Sequence, residues 1–301
     1  MPVLDVGQPR VELATTAAYG AFSHLATCPE VSPPDCAVAP IPAHLHQQSL
    51  GWVRPELGVT VGLGQGWEAG GGLPVDLKVA RVAYTTPAGA PFEPPYGDIH
   101  HRDETLFGVA DARAFVRRTA RATPRWTLSG ELGASLPLGR IEPDPFALGD
   151  AGATHQHYQR GIGVVGVAAG VDAWYRAPSG WGALARLDAR APTQENRYGY
   201  LQGAQAIAAL GPSWRSGVWT WSPGALALVE APDRWSGVAA PDSGRFAALA
   251  SMGGVVTPQP TLAIGADLRW TAWQVAWTAS PDDQAVQRVT GTLSVSWTPA
   301  P

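Results

Sequence analysis

The chain contains no run approaching the ~18 consecutive apolar residues that a membrane helix requires, which excludes a helical membrane protein. Charge is scarce too. Asp, Glu, Lys and Arg make up 15% of the 301 residues, against about a quarter in an average domain, and lysine is nearly absent beside arginine. Helix-period amphipathic stretches are hard to find while Gly (35) and Pro (28) are abundant, which argues against an α or α/β protein. The net charge of −4 comes without a basic patch, so nucleic acid is not an expected partner. Met-Pro-Val-Leu-Asp at the start supplies neither the basic region nor the apolar stretch of a signal peptide. Either a signal peptide has been removed, or a reading of the chain as an exported barrel is wrong.

Alternation is what the chain does have. From Trp126 to Leu136, the residues Trp126, Leu128, Gly130, Leu132, Ala134 and Leu136 alternate with Thr127, Ser129, Glu131, Gly133 and Ser135, which specifies a strand with one apolar and one polar face. Near the end Val289, Gly291, Leu293, Val295 and Trp297 point one way, and Arg288, Thr290, Thr292, Ser294 and Ser296 the other. An apolar face of Trp, Leu, Val, Ala and Gly recurring along the whole chain suits lipid. Mean hydropathy is close to zero, as expected where the polar half of each strand hides the apolar half.

The expected fold is all-β: an antiparallel up-and-down transmembrane β-barrel of about twelve strands, one domain over residues 1–301, with short periplasmic turns and long extracellular loops. Strands are expected at 10–23, 50–64, 67–85, 107–121, 126–138, 161–176, 181–190, 204–214, 218–230, 245–257, 261–277 and 288–297. Alternation is poorest around Ala204 to Trp214. Long loops are expected at 24–48, 87–105 and 139–159, and shorter ones around 196–202, 233–244 and 280–284. Trp67, Trp126, Trp174, Trp181, Trp214, Trp219, Trp221 and Trp297 lie beside the short turns or at the terminus on that side, forming one aromatic girdle at the membrane interface. A soluble propeller or sandwich is the rival, but no blade-length repeat is present. Outer-membrane lipid of a Gram-negative bacterium is the expected surrounding.

Two segments carry a resemblance. Phe107 to Arg118, FGVADARAFVRR, and Leu132 to Arg140, LGASLPLGR, resemble the G-x-x-D strand and the later L-P-x-G strand end of an uncharacterised, transporter-like family of outer-membrane barrels found beside aromatic-degradation genes. The match rests on Gly108, Asp111, Pro137 and Gly139 and covers about a tenth of the chain. It implies a barrel and passage of small hydrophobic molecules, with no catalytic residues to transfer.

All seven histidines fall in or beside the first three long loops: His24, His44 and His46, then His100 and His101, then His155 and His157. In an extended segment i and i+2 share a side, so an H-x-H pair presents two imidazoles to one ion. Three pairs converging over a barrel mouth make His44, His46, His100, His101, His155 and His157 candidate ligands for copper or zinc, with Asp98, Asp103 and Glu104 as carboxylate ligands or hydrogen-bond partners. Three other readings stand beside this one, the plainest being that long exposed loops collect polar residues, histidine among them. The HHRDE segment is a structural plug with Arg102 paired to Asp103 or Glu104, or the clustered imidazoles are a pH-responsive gate.

Cys28 and Cys36, eight residues apart in a Pro-rich stretch, are expected to close one disulfide loop. Arg54, Glu56, Asp76, Lys78, Arg113, Arg117, Glu131, Arg186, Asp188 and Arg190 are assigned to the lumen. Their mixed signs allow either of two states. They leave a narrow passage whose arginine excess favours anionic or polar solutes, or they interlock and close the barrel into a surface scaffold. An H-x-S-N-G stretch is missing, and Ser23 beside His24 is too generic a pair for a nucleophile and base, so an enzyme is not expected.

Overall fold

A computed structural model of the protein describes residues 3–28, 33–95, 102–155, 157–240, 243–277 and 287–300. The strands are β1 (Pro9–Ala26), β2 (His44–Gly64), β3 (Trp67–Thr85), β4 (Glu104–Val109), β5 (Ala112–Arg121), β6 (Trp126–Leu136), β7 (Gly166–Arg176), β8 (Trp181–Pro192), β9 (Tyr200–Leu201), β10 (Gln205–Ser216), β11 (Trp219–Glu230), β12 (Arg234–Trp235), β13 (Val238–Ala239), β14 (Arg245–Gln259), β15 (Leu262–Ala276) and β16 (Gln287–Trp297). Two short helices sit in the first and third long loops, α1 (Pro33–Val38) and α2 (Pro145–Asp150).

The sheet runs β2-β1-β16-β15-β14-β11-β10-β8-β7-β6-β5-β3 and returns to β2, all antiparallel where paired, so it closes into a twelve-strand barrel. Closure leaves no free sheet edge around the ring, the condition for crossing lipid with strands. The thirteenth strand, β4, continues the line of β5: both pair with β3, at Val75↔Val109 and Gly72↔Arg113. The single strand expected over 107–121 is thus broken at Ala110 and Asp111. The weakly alternating stretch near Ala204 to Trp214 is a full wall strand, β10, paired on both sides.

Side-chain direction follows the alternation. Leu13, Leu57, Leu132, Val171, Leu187, Leu210, Leu268 and Leu293 are exposed on the outside, where they meet acyl chains. The tightest turn shows why its residues are needed: Gln65 and Gly66 both have positive φ (53° and 81°), as a type I′ hairpin requires. A Cβ on Gly66 would come within 2.1 Å of the Thr119 carbonyl oxygen. Seven of the girdle tryptophans are exposed outward at this turn-bearing end. Trp174 departs from the expectation. It is the cross-strand partner of Thr127 and Leu184, on the lumen parity of β7. A second aromatic belt of Tyr19, Phe107, Phe246, Trp270, Trp273 and Trp277 marks the loop end.

Long hairpins extend beyond that belt. The first loop was expected to start at His24, yet pairing continues through His24↔His46 to Ala26↔His44, because the inward imidazoles pack against Tyr84 on the neighbouring strand. Cys28 and Cys36 form the disulfide above it. At the same end β9, β12 and β13 make a small separate sheet, in the two stretches read from sequence as plain loops.

Candidate functional site

The lumen-assigned residues all sit on the inward parity of their strands, and most are paired. Asp76 is fully buried and takes a fork from its cross-strand partner Arg54, Nε to Oδ1 at 2.6 Å and Nη2 to Oδ2 at 2.8 Å. Trp52 donates its indole N–H to the same carboxylate at 2.9 Å, and Lys78 stands 3.8 Å away. Such bidentate charge-assisted contacts fix geometry as well as charge. Around the wall Arg113 pairs with Glu56, Arg117 with Glu131, Arg186 with Asp188, Arg245 with Glu230 and Arg269 with Asp267. Arg190 bonds the neutral Gln205 at 2.7 Å.

The interior is packed on one side and wet on the other. At the turn end of β1–β3 the chain before β1 folds inward. Gly7 N–H bonds the Gly62 carbonyl at 2.9 Å, Leu4 N–H bonds Glu68 at 3.2 Å, and Leu4 is 2% exposed. Glu68 in turn faces Arg10 at 3.4 Å with both side chains buried. Along the rest of the ring, from β8 round to β16 beside β1, Arg186, Arg190, Arg269 and Arg288 remain reachable by water.

The third long loop, expected to be an extracellular excursion, folds into the barrel. Asp111, in the break between β4 and β5, accepts the Gly139 N–H on Oδ1 and the Ile162 N–H on Oδ2, each at 2.8 Å. Lys78 donates to the Gln159 carbonyl, and Arg160 donates to the Phe107 carbonyl of β4 at 2.9 Å. Burial pushes the Tyr158 phenol above its ordinary pKa, with Arg288 across the lumen partly opposing the shift. Gly108, Asp111 and Gly139, three of the four residues that carried the family resemblance, thus meet at one junction. Gly108 has φ +152°, and a Cβ there would lie 3.3 Å from the Arg160 guanidinium. Beside the junction β4 has no strand partner on the side away from β3 among the described residues. A cavity of about 810 Å³ opens there, lined by Arg102, Glu104, Arg140, His155, Arg160 and Arg197 among others.

Histidines appear in two groups. His44 and His46 are buried on the inward face of β2 with Nε2 atoms 3.2 Å apart, and the His24 ring lies edge-on to His46 at 4.7 Å. His44 donates Nδ1–H to the Pro42 carbonyl at 2.7 Å. His155 makes the same contact with Ala153 at 2.9 Å, and its ring is 5.0 Å from that of His157. His100, His101 and Asp98 lie outside the described residues. Asp103, a candidate ligand or hydrogen-bond partner of the histidines, accepts from the Val82 N–H and faces Arg81 at 3.7 Å. Its position above outward-facing Arg81 explains this. Glu104 pairs with Arg102 at 3.4 Å. Among the described residues no group of three or more His, Cys, Asp or Glu has the spacing of a metal site.

The fold and its lumen define a closed antiparallel twelve-strand β-barrel. No family model and no curated protein matches the chain. Among solved structures, an outer membrane channel from Pseudomonas putida F1 superposes with a TM-score of 0.58 at 10% identity, over 98% of this chain and 96% of that one. The β domain of the Bordetella autotransporter BrkA gives 0.47 at 10% identity, over 98% and 100%. The first likeness shows a shared fold.

Proposed function

We propose that the protein is an outer-membrane channel of a Gram-negative bacterium, and not an enzyme, that passes small polar or anionic solutes through a lumen narrowed by residues 137–165. The observation that carries this reading is the placement of that segment. Lys78, Asp111 and Arg160 hold it inside the wall, while the arginines of β8, β15 and β16 stay wet. A water-filled side lined by excess guanidinium groups favours anions.

A second reading, a copper or zinc ion at the mouth, is favoured by one observation. Two Nε2 atoms 3.2 Å apart have about the separation of two ligands at ~2.0–2.1 Å from one tetrahedral ion. The His44 contact with Pro42 puts the ring proton on Nδ1 and leaves the lone pair on the Nε2 that faces His46, the protonation state a metal ligand needs.

Planar-bilayer recording tests both. Small discrete channels with an anion-signed reversal potential in a salt gradient are expected, and micromolar zinc or copper should lower their conductance in the wild type but not in a His44→Ala, His46→Ala variant. Silence would replace the channel with a closed surface scaffold. Conductance indifferent to both metals would remove the ion.

A further inference from the structure

The wall strands present two charged side chains to the outside, Arg81 and Arg118. Arg81 is at the loop end and faces Asp103 at 3.7 Å. Arg118 is at the other end, three residues before the end of β5, is exposed, and has no ion-pair partner among the described residues. The nearest acidic residue in its register neighbourhood, Glu131, points inward and is held by Arg117 at 2.9 Å. What Arg118 has is an indole: its guanidinium carbon lies 5.4 Å from the ring centroid of Trp67, its cross-strand partner.

Next to this pair the outer wall is notched. Arg118 stands opposite Gly130, Gly130 opposite Val171, and Val171 opposite Leu187. A Cβ built on Gly130 would meet nothing within 4 Å, so the glycine leaves open space that packing does not demand. The notch is a cavity of about 440 Å³, floored by Gly130, Ala169 and Ala189 and walled by Leu132, Val171 and Leu187, with Arg118 and Trp67 at its rim. Leaving an arginine unpaired on a lipid-facing surface is costly unless its head reaches the interface and an anion. An aromatic beside it is at home at the same depth.

We propose that this notch binds one anionic glycerophospholipid of the periplasmic leaflet, its phosphate on Arg118 beside Trp67 and an acyl chain along Gly130. The occupant follows from the two halves of the site: a single unpaired cation at the interface, and below it a groove of small apolar residues aligned with the bilayer. A soluble anion would not use the groove. An apolar solute would not use the arginine.

Native mass spectrometry of the detergent-purified full chain, titrated with phosphatidylglycerol, tests the proposal. Wild-type protein should retain one lipid under activation that strips the rest. Arg118→Gln and Gly130→Leu should each lower that retention at least about tenfold, whereas Ala250→Leu, elsewhere on the outer wall, should not. Heat-modifiable gel migration confirms that each variant is a folded barrel. Equal retention in all four proteins overturns the proposal. So does loss in Gly130→Leu but not in Arg118→Gln, which would make the notch a purely apolar site. So does a dimer mass that disappears with Gly130→Leu, which would make the occupant a second copy of the chain. None of these outcomes depends on whether the lumen conducts.

Discussion

Asp111 converts an interrupted strand into an anchor. A carboxylate in the wall would normally need a cation opposite it, but here its two oxygens take the backbone N–H groups of Gly139 and Ile162, the entry and exit of the infolded segment. An unmet donor away from water costs about 1–3 kcal/mol. Replacing Asp111 by Ala therefore favours release of the segment over unfolding of the barrel, whose ladder is untouched. In Asp111→Ala, limited proteolysis should cut between residues 139 and 163 about tenfold faster than in the wild type, at unchanged heat-modifiable migration. Asp111→Asn, which keeps one acceptor, should fall between. Cleavage at the wild-type rate in Asp111→Ala would show that Lys78 and Arg160 hold the segment without it.

Among elements, the small sheet of β9, β12 and β13 is built around a protonation equilibrium. Asp233 accepts from Gly203 N–H at 2.7 Å and from the Tyr200 hydroxyl at 2.9 Å, with the Tyr200 ring against Trp235 at 4.8 Å. Burial holds the Asp233 carboxyl above its ordinary 3.8, the two hydrogen bonds opposing this and Glu230 adding to it. Burial and the same carboxylate push the Tyr200 phenol well up. A carboxyl raised in the fold is more easily ionised when the sheet opens. Its contribution to stability is therefore complete below the unfolded value and falls as pH rises through the folded one. Urea titration followed by Trp235 emission should show the sheet opening more easily at neutral pH than at pH 4, and Asp233→Asn should flatten that dependence. An unchanged pH profile in the variant would remove Asp233 as its origin.

The wall strands were legible in sequence because side-chain direction alternates locally. The small sheet was not, since two-residue strands carry too little alternation to see. His44 and His46 were read as loop residues although the alternation runs through Leu45 without a break. The infolding of residues 137–165 depends on contacts with Lys78, Phe107 and Asp111, distant in sequence, and nothing within the segment announces them.

At the scale of the whole molecule the lumen is asymmetric, and its charge follows that asymmetry. Near β1–β3 the charges are tied down: Arg10 meets Glu68 with both side chains buried, and fully buried Asp76 holds both partly exposed Arg54 and Lys78. Charges fixed in this way discriminate a passing ion less. On β8 to β16, Glu230 is shared electrostatically by Arg245, to which it is paired, and by Arg190 and Arg288. Counting Asp172, which faces Arg186 from the neighbouring strand, and the paired Asp188 and Asp267, the guanidinium groups of Arg186, Arg190, Arg245, Arg269 and Arg288 outnumber the acids beside them by one. A unit charge ~8 Å from a permeating ion at an effective dielectric of ~20 is worth about 2 kcal/mol, and salt screening reduces this. Removing one cation should therefore lower the anion-to-cation permeability ratio by several-fold to about tenfold. Arg288→Gln and Arg190→Gln should each move the reversal potential toward the cation side, and the double variant further. Arg54→Gln should not shift it in proportion, because Arg54 is committed to buried Asp76 and its loss would first appear as reduced thermal stability. If Arg288→Gln and Arg190→Gln leave the reversal potential in place while Arg54→Gln shifts it, the solute path runs along the packed side, beside Lys78 and the infolded segment.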